Sequence, residues 1–201
     1  MSDLIVKICG LTDANDTAAA IDAGANFIGL VFVPGSRRLL DAAAARRVRD
    51  AIGHRAQAVG VFMNQDMGEV REWADALRLD WVQLHGEEDP AAWQSLGRRL
   101  IKRIRSARTD HDPRLTLPLL DPGAGSGEGW DWGAFGVLGR GALLAGGLNP
   151  DNVATAIAAV RPLGVDVSSG VESAPGRKSA QRMGEFVQRA RLALAQAAKD
   201  A

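Results

Sequence analysis

Short apolar runs alternate along the whole chain with longer stretches whose apolar positions recur every three or four residues. The short runs predict strands over Leu4–Cys9, Phe27–Phe32, Gln57–Phe62, Trp81–His85, Leu100–Arg105, Leu117–Asp121, Ala142–Ala145 and Gly164–Ser168. The periodic stretches predict helices over Asp13–Ala23, Asp41–Ile52, Asp66–Leu77, Pro90–Leu96, Trp130–Phe135, Pro150–Val160 and Ser179–Ala198. Asp13, Asp41, Asp66, Asp89 and Asn149 precede or open these helices, where a side-chain oxygen can cap free amides. No low-complexity linker divides the chain. Eight strands with intervening helices predict an α/β protein, a single (β/α)8 TIM barrel with residues 1–201 as one domain. The alternative is an open doubly wound sheet, but no G-x-G-x-x-G follows the first strand to favour it. Too few residues separate Arg105 from Leu117 for a full helix and two loops. A shortened or irregular fifth helix is therefore expected.

Alternate strand residues face the inside of a barrel, and active sites form at the C-terminal strand ends. Val6 and Ile8 then face the helices, leaving Lys7 and Cys9 inside. The same period puts Gln83 and His85 inside from the fourth strand, Leu119 and Asp121 from the sixth, and Asp166 and Ser168 from the eighth. A structural alternative pairs Lys7 with Asp166 or Asp121 as buried counter-charges, because an unpaired charge in a core is costly. Each polar residue taken alone has a plain structural explanation; four strands converging on one cavity favour an enzyme site. Two later segments are rich in backbone donors: Ala145-Gly-Gly-Leu-Asn-Pro150 and Ser168-Ser-Gly-Val-Glu172. Loops after the seventh and eighth strands of such barrels often hold phosphate on glycine amides. After the second strand, Arg37 and Arg38 offer a fork for a carboxylate or phosphate.

Composition narrows the classes. The chain has 201 residues, 46% hydrophobic and 24% charged, which is ordinary for a globular protein. Lys plus Arg number 24 and Asp plus Glu number 24, so the net charge is zero and neither nucleic acid nor membrane is an expected partner. No apolar run approaches the ~18 residues of a membrane span. The start of the sequence lacks the layout of a signal peptide, and the single cysteine, Cys9, cannot form an internal disulfide; a cytoplasmic protein is expected. His54, His85 and His111 are scattered, so no metal site is expected.

In order along residues 4–178, the chain carries Lys7-Ile-Cys-Gly-Leu-Thr12, Gly29-Leu-Val-Phe32 with Ser36-Arg-Arg38, Val59-Gly-Val-Phe62 with Asn64, and Val82-Gln-Leu-His-Gly86. Leu119-Leu-Asp121, Gly125-Ser-Gly127 with Trp130-Asp-Trp132, the Ala145–Val153 segment and Val165–Glu172 with Pro175-Gly176 follow. These motifs resemble the phosphoribosylanthranilate isomerase family of tryptophan biosynthesis. The resemblance implies an Amadori rearrangement of N-(5-phosphoribosyl)anthranilate by general acid–base catalysis, with no cofactor. It implies Cys9 as base, Asp121 as acid, Arg38 on the anthranilate carboxylate, and Gly146, Gly147, Ser168, Ser169 and Gly170 on the phosphate. Lys7, Gln83, His85 and Asp166 complete the expected substrate-binding set. The expected partner is this small phosphosugar-anthranilate, with a monomer favoured over a homodimer. Glu128 stands where the family commonly has Lys, a departure in the loop after the acid. Neutral-pH acid catalysis needs the Asp121 carboxyl raised, by desolvation or a bound anion, and Lys7 is expected to lower the Cys9 thiol. Other phosphosugar barrels share the glycine loops. A histidine-pathway sugar isomerase tends to use paired Asp residues and a two-fold repeat, and a ribulose-phosphate epimerase needs metal-binding His and Asp clusters. A barrel that only binds phosphosugar has no use for both Cys9 and Asp121.

Overall fold

A computed structural model describes residues 4–105, 112–121, 123 and 139–199. Eight parallel strands close into a barrel in sequence order: β1 (Ile5–Cys9), β2 (Phe27–Val31), β3 (Gln57–Phe62), β4 (Trp81–Leu84), β5 (Arg99–Ile104), β6 (Leu117–Leu120), β7 (Leu143–Leu144) and β8 (Gly164–Val167). β1 pairs with both β2 and β8, so Lys7 stands between Phe27 and Asp166 and the ring has no open edge. The expected barrel is therefore present, and the doubly wound sheet is not. β7 is only two residues long, half the predicted run.

Helices α1 (Ala14–Asp22), α2 (Ala42–Ile52), α3 (Met67–Ala76), α4 (Pro90–Trp93), α5 (Val153–Val160) and α6 (Ala180–Lys199) lie outside the barrel. Each buries one stripe. In α6 the stripe is Met183, Phe186, Val187, Ala190 and Leu194, the spacing of one helical face. The carboxylates of Asp13, Asp41, Asp66 and Asp89 accept first-turn amides of the helices they precede. Asn149 accepts the amides of Asp151 and Asn152 instead, closing a turn, and α5 begins only at Val153. α4 is a single turn continued by a 3-10 turn over Gln94–Leu96. Between β5 and β6 the described residues 112–116 hold a turn and no helix. The predicted helix Trp130–Phe135, Glu128 and His111 lie outside the described residues. After β8 a 3-10 turn, Ser169–Val171, leads into a small antiparallel pair, β9 (Glu172–Ala174) and β10 (Arg177–Lys178).

Outward strand residues such as Val6, Ile8, Ile28, Leu30, Val82 and Val165 share one buried cluster with the helices. Inward residues form a second: Ile5, Phe27, Val59, Ile101, Leu119, Leu143 and Ala145. The period of two read along the strands thus separates two cores, and it places the site above the inner one.

Candidate active site

A cavity of about 250 Å3 opens at the C-terminal mouth of the barrel. Cys9, Arg38, Gln83, His85, Asp121, Gly146, Gly147, Asp166, Ser168 and Ser169 all contribute to its walls. Two expected residues do not. Lys7 is fully buried below the cavity floor, its Nζ donating to Asp166 Oδ2 at 2.8 Å. That makes Lys7 a buried counter-ion in place of a substrate contact, the structural pairing that the sequence allowed. Gly170 lies off the wall, and a Cβ there would overlap the carbonyl oxygen of Leu148. Its lack of a side chain lets the loop after β8 rest on the loop after β7.

Cys9 and Asp121 reach the cavity from β1 and from the end of β6. Cys9 is buried, and Gly29 on β2 leaves room for it, since a Cβ at Gly29 would sit 2.7 Å from the Cys9 Sγ. Burial pushes the Cys9 thiol up, outweighing the downward pull of the Lys7 and Lys178 ammonium groups. The lowering expected from Lys7 is present but does not prevail. Burial also works against charge on both Lys7 and Asp166. The Lys7 ammonium is nonetheless raised by its contact with Asp166, and a neutral Asp166 would strand a buried cation.

Asp121 departs from expectation in the same informative way. Burial favours its neutral form, but His85 and Arg103 outweigh burial and hold the carboxyl below its usual value. His85 Nε2 stands 3.4 Å from Asp121 Oδ2, and Arg103 Nε stands 3.7 Å from the same oxygen. Gln83 Nε2 lies 3.0 Å from His85 Nδ1. With that amide facing Nδ1, the tautomer that satisfies both contacts carries its proton on Nε2, toward Asp121. The raised carboxyl that acid catalysis requires is not supplied by the protein groups around Asp121.

Arg38 is held by Glu172, the last residue of the segment after β8, to which the sequence assigns no role. Its Nε and Nη2 donate to Glu172 Oε1 and Oε2 at 2.6 and 2.8 Å, a bidentate fork across 134 residues. Lys178 Nζ donates to Glu172 Oε1 at 3.0 Å and to the Ser168 carbonyl at 3.0 Å. Burial opposes the charge on Glu172, yet Arg38 and Lys178 together bring its carboxyl down to about 2. The β9–β10 pair therefore ties the arginine loop after β2 to the serine loop after β8. Two buried acceptors, Gln83 Oε1 and Asp166 Oδ1, have no partner, and both residues line the cavity. Among the described residues, no three His, Cys, Asp or Glu side chains gather where they could hold a metal ion.

A closed (β/α)8 barrel with a thiol, a carboxyl, an arginine and two glycine loops around one mouth defines an enzyme of the barrel class that acts on small anionic substrates. The model of the N-(5'-phosphoribosyl)anthranilate (PRA) isomerase family matches residues 6–189, and the chain belongs to that family. It is an isomerase of tryptophan biosynthesis. The N-(5'-phosphoribosyl)anthranilate isomerase of Acidithiobacillus ferrooxidans is 43% identical over 198 residues, covering 92% of this chain and 97% of the relative. That of Geobacter sulfurreducens is 43% identical over 202 residues, covering 92% and 98%. The crystal structure of phosphoribosyl anthranilate isomerase from Thermotoga maritima is similar with a TM-score of 0.84 and 34% identity, covering 94% of this chain and 98% of that one. A phosphoribosyl anthranilate isomerase in complex with reduced 1-(o-carboxyphenylamino)-1-deoxyribulose 5-phosphate is similar at 0.80 and 33%, over 94% and 98%. No helix among the described residues is long and apolar enough to cross a membrane.

Proposed function

We propose that Cys9 and Asp121 are the base and acid with which this chain converts N-(5-phosphoribosyl)anthranilate to 1-(2-carboxyphenylamino)-1-deoxyribulose 5-phosphate. The observation that carries the assignment is that both groups face one cavity whose remaining walls suit the substrate's two anionic ends. The glycine and serine loops at Gly146, Gly147, Ser168 and Ser169 offer backbone amides to the phosphate. Arg38, held by Glu172, keeps Nη1 for the aromatic carboxylate. Gln83 Oε1 and Asp166 Oδ1 are unpaired acceptors suited to sugar hydroxyls.

The steps move protons only. Asp121 gives a proton to the furanose oxygen as the C1–O bond breaks, and the nitrogen lone pair closes a C1=N bond. The Cys9 thiolate then removes the acidified proton from C2, whose electrons shift to form the enolamine. The C2 hydroxyl loses its proton, C1 gains one, and the ketose results. The protein's own groups hold Asp121 as a carboxylate, so the proton must be favoured by what binds. The substrate brings a phosphate and a carboxylate, and neighbouring negative charge raises a carboxyl. Lys7 and Lys178 favour the thiolate that burial alone disfavours.

We read the chain as a monomer. Among the described residues Leu39, Met63 and Leu192 are the large exposed hydrophobics, short of the apolar centre of an obligate interface. One similar structure contains monomers generated from the dimeric Thermotoga maritima enzyme, and sedimentation velocity decides the state here.

The central test follows the loss of phosphoribosylanthranilate fluorescence on adding the pure protein. Cys9→Ala and Asp121→Asn should each lower kcat by about 10²–10⁴-fold with native circular dichroism. Near-normal turnover in either folded variant removes that residue from its role.

A further inference from the structure

Asp121 is gripped from one side by a residue that never reaches the cavity. Arg103 is the penultimate residue of β5, paired with Leu119 of β6, so its side chain reaches up one inward position toward Asp121. Its Nε donates to the Asp121 carbonyl at 2.9 Å and lies 3.7 Å from Oδ2 of the same residue. The chain beyond Asp121 bends over the guanidinium at Gly123. There φ is +111°, and a Cβ would stand 3.2 Å from Arg103 Nη2. The Gly123 amide donates to Asp121 Oδ1 at 3.1 Å. Arg103 is not among the cavity walls, and its side chain is 13% exposed. Whatever it contributes to the reaction passes through Asp121.

We propose that Arg103 is a positioning residue for Asp121, fixing where the carboxyl points and how readily it holds a proton. This rests on the reading of Asp121 as the acid. Among the described residues the groups around that carboxyl are few. His85 faces it from β4 and Arg103 from β5; Asp166 on β8, with Lys7 and Cys9 on β1, lies across the barrel. β2, β3 and β7 contribute Val31, Val61 and Ala145 to the same cavity. Among the described contacts of that carboxyl, the guanidinium supplies the fixed positive charge.

The consequence concerns which ionisation limits the enzyme. The reactive form needs Asp121 protonated and Cys9 ionised, whereas the protein groups around them favour the reverse for both. As pH rises toward the Asp121 value, thiolate increases while the acid stays protonated, so kcat/KM climbs. Between the Asp121 and Cys9 values, gain of thiolate and loss of acid cancel, giving a plateau. Above the Cys9 value only the loss of acid remains, and kcat/KM falls. The low-pH limb therefore belongs to Asp121 and the high-pH limb to Cys9. Removing the charge of Arg103 raises the Asp121 value and moves the low-pH limb upward, leaving the high-pH limb in place.

The experiment compares wild type with Arg103→Met and Arg103→Lys, recording kcat/KM against pH and following the Asp121 carboxyl carbon by NMR titration. In Arg103→Met both the limb and the NMR midpoint should rise by roughly one pH unit or more. Arg103→Lys, which keeps the charge, should return them toward wild type. Arg103→Gln replaces Arg103→Met should the latter not fold. An unmoved midpoint in a folded neutral variant, or an equal shift in Arg103→Lys, overturns the proposal. Asp121→Asn separates the two layers of the argument: if it retains turnover, the acid assignment fails, while the NMR midpoint still reports on Arg103.

Discussion

Along the inside of the barrel, two adjacent levels of the same strands have opposite character. At the lower level Ile5, Ile101 and Leu119 join Phe27, Val59 and Leu143 in a dry cluster, with Trp81 and Leu117 packed against it. One inward position further along, those strands present Lys7, Arg103 and Asp121, and β4 and β8 present Gln83 and Asp166. A step of two residues, under 7 Å of strand, separates packing from chemistry. The lower level can be apolar because nothing there must bind. The upper level carries charges whose desolvation works against folding, so every charged group there has been given a counter-charge. The comparison teaches that stability and reactivity are layered along the strands instead of being divided between strands.

The buried pair at the boundary should give the largest stability effect. Lys7→Met leaves Asp166 as an unpaired buried carboxyl whose Oδ1 already lacks a partner. Urea unfolding should show a loss of about 3–5 kcal/mol. The double variant Lys7→Met/Asp166→Leu removes both charges and should recover most of that stability without recovering activity. If Lys7→Met is as stable as wild type, the pair is not the counter-charge that holds the two levels together.

A smaller effect should separate the two anion-binding sides of the mouth. In the proposed orientation of the substrate, Arg38→Ala removes a charge-assisted contact of roughly 1.5–3 kcal/mol to its carboxylate. Gly147→Val puts a side chain where phosphate must approach, at a residue with φ +68°. Calorimetry with inorganic phosphate should then show binding in Arg38→Ala and none in Gly147→Val, while affinity for a product analogue falls in both. The opposite pattern with inorganic phosphate reverses the orientation proposed for the substrate.

Much of this layering is legible in sequence, and what escapes does so for physical reasons. On β1, β4, β6 and β8 polar residues occupy one parity only, so Lys7, Cys9, Gln83, His85, Asp121 and Asp166 can be placed inside from the pattern. β5 carries charge on both faces. Lys102 points outward to Glu88 while Arg103 points inward, so alternation there gives no clear signal. Glu172 carries no signal of its own in the sequence, because its partner Arg38 is more than a hundred residues away, and Lys178 joins them only through Glu172. The direction of the Asp121 and Cys9 shifts is likewise a property of assembled neighbours: burial and each nearby charge oppose one another, and only their distances decide the balance. Gly170 reads from its loop as a phosphate residue; that only glycine fits there, because the Leu148 carbonyl takes the space of a Cβ, depends on the preceding loop.

The smallest predicted effect comes from the lower level and is the cleanest control on the comparison. Ile101 is fully buried in the dry cluster, two residues before Arg103 on the same strand. Ile101→Val deletes one methylene group, keeps the β-branched shape that suits a strand, and adds no polar atom. Stability should fall by about 0.5–1.5 kcal/mol, because neighbours in a packed core close only part of the gap. The charged level above loses no contact, so the midpoints of the kcat/KM profile should stay where they are in wild type. A profile displaced as far as in Arg103→Met would mean that packing at the lower level sets the geometry of Asp121, and the two levels would then have to be treated as one unit.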